Sequence, residues 1–188
     1  MGFLNKDELE QIGFKHLGKN VKISDKCSIY NPECISIGDD SRIDDFCLLS
    51  GNITIGKNVH IAAFCNLAGG ALGIVMDDFS GIAYGCHLFT QSDDYSGMTM
   101  TNPTIPKKFK NEAYKKIHLG KHVIIGTKSI VLPGVVIADG CSIGAMSMMT
   151  KSTEPWGIYF GIPAKKIKNR KKNVLELEKI YLSEKESA

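Results

Sequence analysis

The run Leu119-Gly120-Lys121-His122-Val123-Ile124-Ile125-Gly126-Thr127-Lys128-Ser129-Ile130-Val131 decides how this chain folds. Large aliphatic residues stand at Leu119, Ile125 and Val131, and the spacing of six continues to Ile137 and Ile143. Toward the N-terminus the same spacing links Leu17, Ile23 and Ile29, then Ile37, Ile43, Leu49, Ile55, Ile61 and Leu67, then Ile82 and Leu88. A period of six fits neither a helix face nor one continuous amphipathic strand. It fits short strands joined by tight turns, each placing one large side chain inside a narrow prism. Four positions after the aliphatics come small or medium residues, among them Val21, Cys27, Cys47, Val59, Cys65, Cys86, Val123, Ser129, Val135 and Cys141. Self-similarity of this kind marks a stacked-repeat architecture. The spacing predicts a mainly β fold, a parallel β-helix over residues 17–164.

Five of the six cysteines fall in that small slot, and only Cys34 lies at a break in register. Their spacing is that of a structural column, neither a zinc set nor a disulfide framework. The chain has 188 residues, 43% apolar and 23% charged, with a net charge of +3. Those values fit a single globular unit and give no reason to expect a nucleic-acid partner. No apolar run approaches a membrane span, and the N-terminus turns charged at once, so the expected location is the cytoplasm. Residues 1–16 read as a capping helix, and residues 165–188 as a basic, helical C-terminal segment.

Three stretches carry a resemblance to a known family: Ile117-His118 with residues 119–126 of the run above, Val131-Leu132-Pro133-Gly134-Val135-Val136-Ile137, and Gly161-Ile162-Pro163-Ala164-Lys165. The chain resembles the hexapeptide-repeat acyltransferases over residues 17–170, and within them the sugar acetyltransferases of surface-polysaccharide clusters. The resemblance implies a left-handed parallel β-helix and a homotrimer with acetyl-CoA bound between subunits. It implies transfer of an acetyl group to a sugar, with the amine of a nucleotide-linked amino-deoxy sugar favoured over a galactoside or other sugar hydroxyl. Two readings of other classes are a non-catalytic β-helix scaffold and a carbonic anhydrase-like enzyme, the latter needing three histidines per zinc. The histidines here show no such cluster, and no metal is expected.

Function in a repeat fold concentrates where the scaffold is interrupted. The step from Ile29 to Ile37 is eight residues and predicts a bulged corner. The register slips again at Gly69-Gly70-Ala71-Leu72-Gly73, where Gly69 and Gly70 either admit a substrate or turn a corner. The largest break inserts residues 91–116 between Leu88 and Leu119. With Tyr95, Phe109 and Tyr114, it reads as an arm over an active-site cleft.

Acyl transfer needs a base for the acceptor's proton and a donor for the oxyanion. The family commonly places its histidine in the extended loop, and this loop offers Asp93 and Asp94 beside Tyr95 instead. His60 precedes Ile61 and so points outward, which makes it the leading candidate base ahead of His87, His118 and His122. Asp93 and Asp94 either act in catalysis, by orienting a histidine, binding an amino group or serving as bases, or simply form a turn. For the cofactor, Gly126, Thr127, Ala145 and Met146 leave room for a pantetheine arm, and Lys151, Lys165 and Lys168 offer charge for its phosphates. Trp156 either stacks on adenine or caps the prism.

Overall fold

The computed structural model describes residues 2–187. Three columns of short parallel strands stack into a prism with three faces. The first face runs through His16–Leu17, Ile35–Ile37, the ends of the long strands Leu48–Ile55 and Asn66–Met76, then Ile117–Leu119 and Val136–Ile137. The second runs through Lys22–Ile23, Arg42–Ile43, His60–Ile61, Gly81–Ile82, Ile124–Ile125, Ser142–Ile143 and Gly157–Gly161. The third holds Ser28–Tyr30, the starts of the two long strands, His87–Phe89, Ile130–Val131 and Met148–Met149.

Every strand contributes its periodic aliphatic to one axial core. Ile23, Ile37, Ile43, Leu49, Ile61, Leu67, Leu88, Leu119, Ile125, Val131 and Ile137 are all fully buried. The register that seems lost after Leu67 resumes at Met76, six before Ile82, with Ile74 and Met76 buried on the first face. The step at Ile29 is a single 3-10 turn, Pro32–Cys34, entered through left-handed Asn31. At the other corners one residue per coil takes positive φ. Asn20, Asp40, Asn58 and His122 do so at the first-to-second corner, and Phe46, Phe64, Gly85, Lys128 and Met146 at the second-to-third.

The small slot holds its expected column. Cys47 Sγ donates to Ala62 O at 3.1 Å, Cys65 to Ala83 O at 3.1 Å and Cys86 to Gly126 O at 3.2 Å. Ser129 Oγ continues the column to Gly144 O at 3.0 Å. All six cysteines are free. Cys65 is pushed up to about 12: the Cys47 thiol lowers it, while the Cys86 thiol and burial raise it more. A thiol in that state is a packing group, not a nucleophile.

The insert leaves the prism after the third-face strand His87–Phe89. It folds back on itself through antiparallel pairing of Gln91–Ser92 with Ala113–Tyr114. Helix α1, Lys6–Ile12, carries an Asn5–Glu8 capping box and lays Leu9 over the first coil. The C-terminal segment differs from the expected helix. Residues Ala164–Asn169 form a strand antiparallel to Gly157–Gly161, so Lys165 and Lys168 stand on a β-hairpin. Exposure of Lys165 through Asn169 along this terminal sheet edge accommodates the lysine-rich sequence, and helix α2 begins only at Val174 and runs to Glu186. No helix among the described residues is long and apolar enough to cross a membrane.

Helix α2 docks on its own prism along the first-to-second corner. Glu178 bonds His122 Nε2 at 2.7 Å and Lys121 Nζ at 2.5 Å, Tyr181 OH donates to Asn58 Oδ1 at 2.9 Å, and Lys185 pairs with Asp40. Burial raises the Glu178 carboxyl, but the bonds from Lys121 and His122 outweigh it and hold the group below its ordinary 4.5. Its contribution to docking is therefore complete above that value and lost as pH falls through the lower folded one. Amide exchange in α2, corrected for intrinsic rate, should stay constant from neutral pH down to roughly 5 and accelerate below 4. Protection lost already between roughly pH 7 and 5 would contradict this docking.

Candidate active site

His60 lies on the second face with its ring half exposed and directed outward. Its Nε2 meets Asp44 Oδ2 at 2.9 Å, and Arg42 Nε donates to Asp44 Oδ1 at 2.6 Å. Arg42 is His60's partner in the ladder, one coil earlier. Asp44 is nearly buried. Burial pushes its carboxyl up, but the bonds from His60 and Arg42 outweigh this and hold it below the usual carboxylate range. An ionised carboxylate only accepts hydrogen bonds, so His60 Nε2 carries the proton and Nδ1 presents its lone pair. The sequence contained this pair: residues 42 and 44 flank Ile43 one coil before residues 60 and 62. Reading the repeat for its interior positions alone passed over it.

A groove of about 470 Å³ opens beside His60, over Gly81, with Ala62, Tyr84, Ile124 and His122 among its walls. Arg170, from the segment leading into α2, and Val174, the first residue of that helix, close one side. The remaining histidines have structural partners or stand apart. His122 is buried, stacked on Phe79 and bonded to Glu178. His118 Nε2 meets Asp77 Oδ2 at 2.7 Å on the first face, and His87 is exposed on the third.

Asp93, Asp94 and Tyr95 begin the arm. Asp94 accepts from Ser96 N at 2.8 Å and Thr99 Oγ1 at 3.0 Å, and the Ser96 bonds hold its carboxyl below the ordinary value. Asp93 accepts from Asn102 N at 3.4 Å, and Tyr95 is 93% exposed. The Asp94 carboxylate thus closes a short loop onto Ser96 and Thr99. Glu112 braces the arm's root, accepting from Gln91 Nε2 at 2.6 Å, Lys110 Nζ at 3.1 Å and Tyr114 OH at 2.9 Å.

Gly69 and Gly70 lie at the third-to-first corner, beside that root. Thr90 Oγ1 donates to Gly69 O at 2.8 Å. A Cβ on Gly69 would fall 2.0 Å from Asn52 O, and Gly70 takes φ +51° directly over Gly51. The space beside Gly69 is thus filled by neighbouring backbone, whereas a Cβ on Gly70 would meet only Thr90 Oγ1, at 3.0 Å.

Of the expected cofactor residues, Gly126, Thr127, Ala145 and Met146 share the second-to-third corner, where Met146 N donates to Thr127 O at 2.8 Å. The terminal hairpin stacks on the same coil, Gly161 N donating to Ser147 Oγ at 3.1 Å, and Lys165 there lies opposite Phe160. Lys168 lies further along the hairpin, opposite Ile158, and Lys151 follows the last third-face strand at another corner. Trp156 covers Gly140, where a Cβ would fall 2.4 Å from the ring, so it caps the prism instead of awaiting adenine. Within one chain nothing joins His60 to the arm: they belong to different faces, and no hydrogen bond among the described residues links them.

The bacterial transferase hexapeptide (six repeats) model matches residues 34–69 and 116–151. The chain is 41% identical over 184 residues to dTDP-4-amino-4,6-dideoxy-D-glucose acyltransferase from Escherichia coli, covering 96% of this chain and 95% of that one. The chain belongs to the hexapeptide-repeat acyltransferases. Among solved members of the family it is similar to AntD, an N-acyltransferase from Bacillus cereus. In complex with dTDP and 3-hydroxybutyryl-CoA, AntD aligns at a TM-score of 0.97 and 50% identity, covering 98% of each chain. An AntD variant in complex with dTDP-4-amino-4,6-dideoxyglucose and coenzyme A aligns at 0.96 and 51%, covering 97% of this chain and 98% of that one. Members of this family hold acyl-CoA as a co-substrate, and no group of three or more potential metal ligands exists among the described residues.

The histidine geometry makes its own prediction. Nitrogen NMR at neutral pH should find neutral His60 as the Nε2–H tautomer, and Asp44→Asn should abolish that preference. An Nδ1–H tautomer in the unsubstituted protein would contradict the assignment.

Proposed function

We propose that this enzyme transfers an acyl group from acyl-CoA to the 4-amino group of a dTDP-linked 4-amino-4,6-dideoxyhexose, for use in a surface polysaccharide. The observation that carries this reading is full-length similarity to two proteins named for that chemistry, at 41% and 50% identity. Amine acceptors are favoured over hydroxyls because Asp93 and Asp94 place carboxylates, one of them held firmly ionised, on the arm. Such carboxylates are weak bases but complement an ammonium.

The ammonium loses one proton to solvent, and the neutral amine attacks the thioester carbonyl. A C–N bond forms, the C–S bond breaks, and the amine's proton passes to His60 Nδ1 and on to the departing thiolate. Products are the amide and free CoA, with no covalent enzyme intermediate. Asp44 orients His60 and stabilises the imidazolium that forms. Gly126, Thr127, Ala145 and Met146 border the pantetheine, with Lys165 and Lys168 toward the phosphates and Lys151 more peripheral. Because His60 and the arm stand on different faces, the working unit is a homotrimer in which one subunit's arm covers its neighbour's second face. The enzyme is placed in the cytoplasm, where acyl-CoA and nucleotide sugars are available.

Incubation with acyl-CoA and dTDP-4-amino-4,6-dideoxyglucose should release one thiol per amide formed. His60→Asn should lower kcat by about 10²–10⁴-fold, the usual range for losing a general base. Thiol release with sugar hydroxyls but not with the amine would overturn the acceptor, and full turnover by His60→Asn would overturn the base.

A further inference from the structure

The outward positions of the second face form one ladder: Lys22, Arg42, His60, Gly81, Ile124 and Ser142. Only Gly81 lacks a side chain. With strands about 4.8 Å apart, His60 and Ile124 stand some 9–10 Å from each other across that gap. The gap is the floor of the groove of about 470 Å³.

The groove's chemistry restricts its occupant. Arg170 is the one Lys or Arg among its lining residues. Its guanidinium already donates to His122 O, Gly140 O and Cys141 O, at 2.7, 3.0 and 3.4 Å. Both lining histidines bond carboxylates through Nε2. Most of the remaining wall is apolar, with Ala62, Ala83, Ile124, Val174, Phe79 and Tyr84. Ser80, beside Gly81, lines the same groove. It is buried, and its hydroxyl has no partner among the described residues.

We propose that this groove is the acyl pocket and that Gly81 sets the length of acyl group the enzyme accepts. The inference rests on His60 lying at the reacting centre, as argued above. An acyl carbon held beside His60 has its chain directed along the ladder, and the neighbouring position is the empty one. The space exceeds what an acetyl methyl needs, so the preferred donor carries a chain longer than acetyl.

The test compares kcat/KM for acetyl-, butyryl- and 3-hydroxybutyryl-CoA at fixed amino-sugar in the full-length enzyme, Gly81→Ala, Gly81→Val and Ser142→Val. A Cβ at Gly81 meets only His60 O, at 3.4 Å, and φ there is not left-handed, so the backbone admits both substitutions. The unsubstituted enzyme should use four-carbon donors at least as well as acetyl-CoA. Gly81→Val should lower the four-carbon-to-acetyl ratio about tenfold or more, the effect of blocking one or two methylenes. Gly81→Ala should fall between, and it decides the matter if the valine variant melts early. Ser142→Val, two coils above Gly81, should leave the ratio unchanged. A ratio unmoved by Gly81→Val, refusal of four-carbon donors by the unsubstituted enzyme, or a rise confined to KM for the nucleotide sugar would overturn the proposal. Thiol release from no donor at all would instead overturn the acyltransfer reading and this inference with it.

Discussion

Coil-on-coil stacking is the constraint on which everything else in this molecule depends. Each coil contributes three large aliphatics to a shared axis, and each backbone group pairs with the coil above and below. Side chains on the outside are thereby stacked at strand spacing, about 4.8 Å per coil. The arrangement leaves little freedom. A Cβ at Gly38, Gly126 or Gly69 would meet the next coil's backbone within 2.0–2.6 Å. The cysteine and serine column satisfies carbonyls at one corner that a purely apolar residue would leave unpaired. Function has to be written on the outside of this scaffold, or in what leaves it.

The interior was legible because one rule repeats. Leu17 through Leu67 and Leu119 through Ile143 declare themselves by spacing, and the thiol slot follows from the same count. The spacing lost its clarity where sequence and geometry part, at Gly69–Gly73, because the long strand Asn66–Met76 crosses a corner without a turn and absorbs the extra residues. Met76, six before Ile82, was the remaining clue. The lysine run at 165–168 misled because charge says nothing about period, and the hairpin is set by antiparallel pairing with Gly157–Gly161.

The candidate site's geometry was legible in part. His60 followed from phase: the residue before each interior aliphatic faces outward. Its partners Asp44 and Arg42 required reading the outside of the ladder across coils, a contact between residues 16 and 18 positions apart. The groove over Gly81 required noticing an absence, a missing side chain in an outward column, and the part of α2 in closing it was not encoded in any local pattern. Gly69 shows the opposite case, since the space beside that glycine is already filled by neighbouring backbone.

What the single chain does not do is bring its chemical groups together. The His60–Asp44 pair and the groove lie on the second face, while the carboxylates of Asp93 and Asp94 leave from the far corner on a braced arm. In the homotrimer proposed above, heterologous packing around a threefold axis would set one copy's arm against the next copy's second face. Subunit mixing measures that claim most directly. His60→Asn and the doubly substituted Asp93→Asn, Asp94→Asn enzyme, each impaired alone, are unfolded together, refolded at equal amounts and assayed for amide formation. Sites built from two chains predict recovery of about a quarter of the unsubstituted activity, since one interface in four would unite an intact His60 with an intact arm. A mixture no more active than the average of its two components would contradict it.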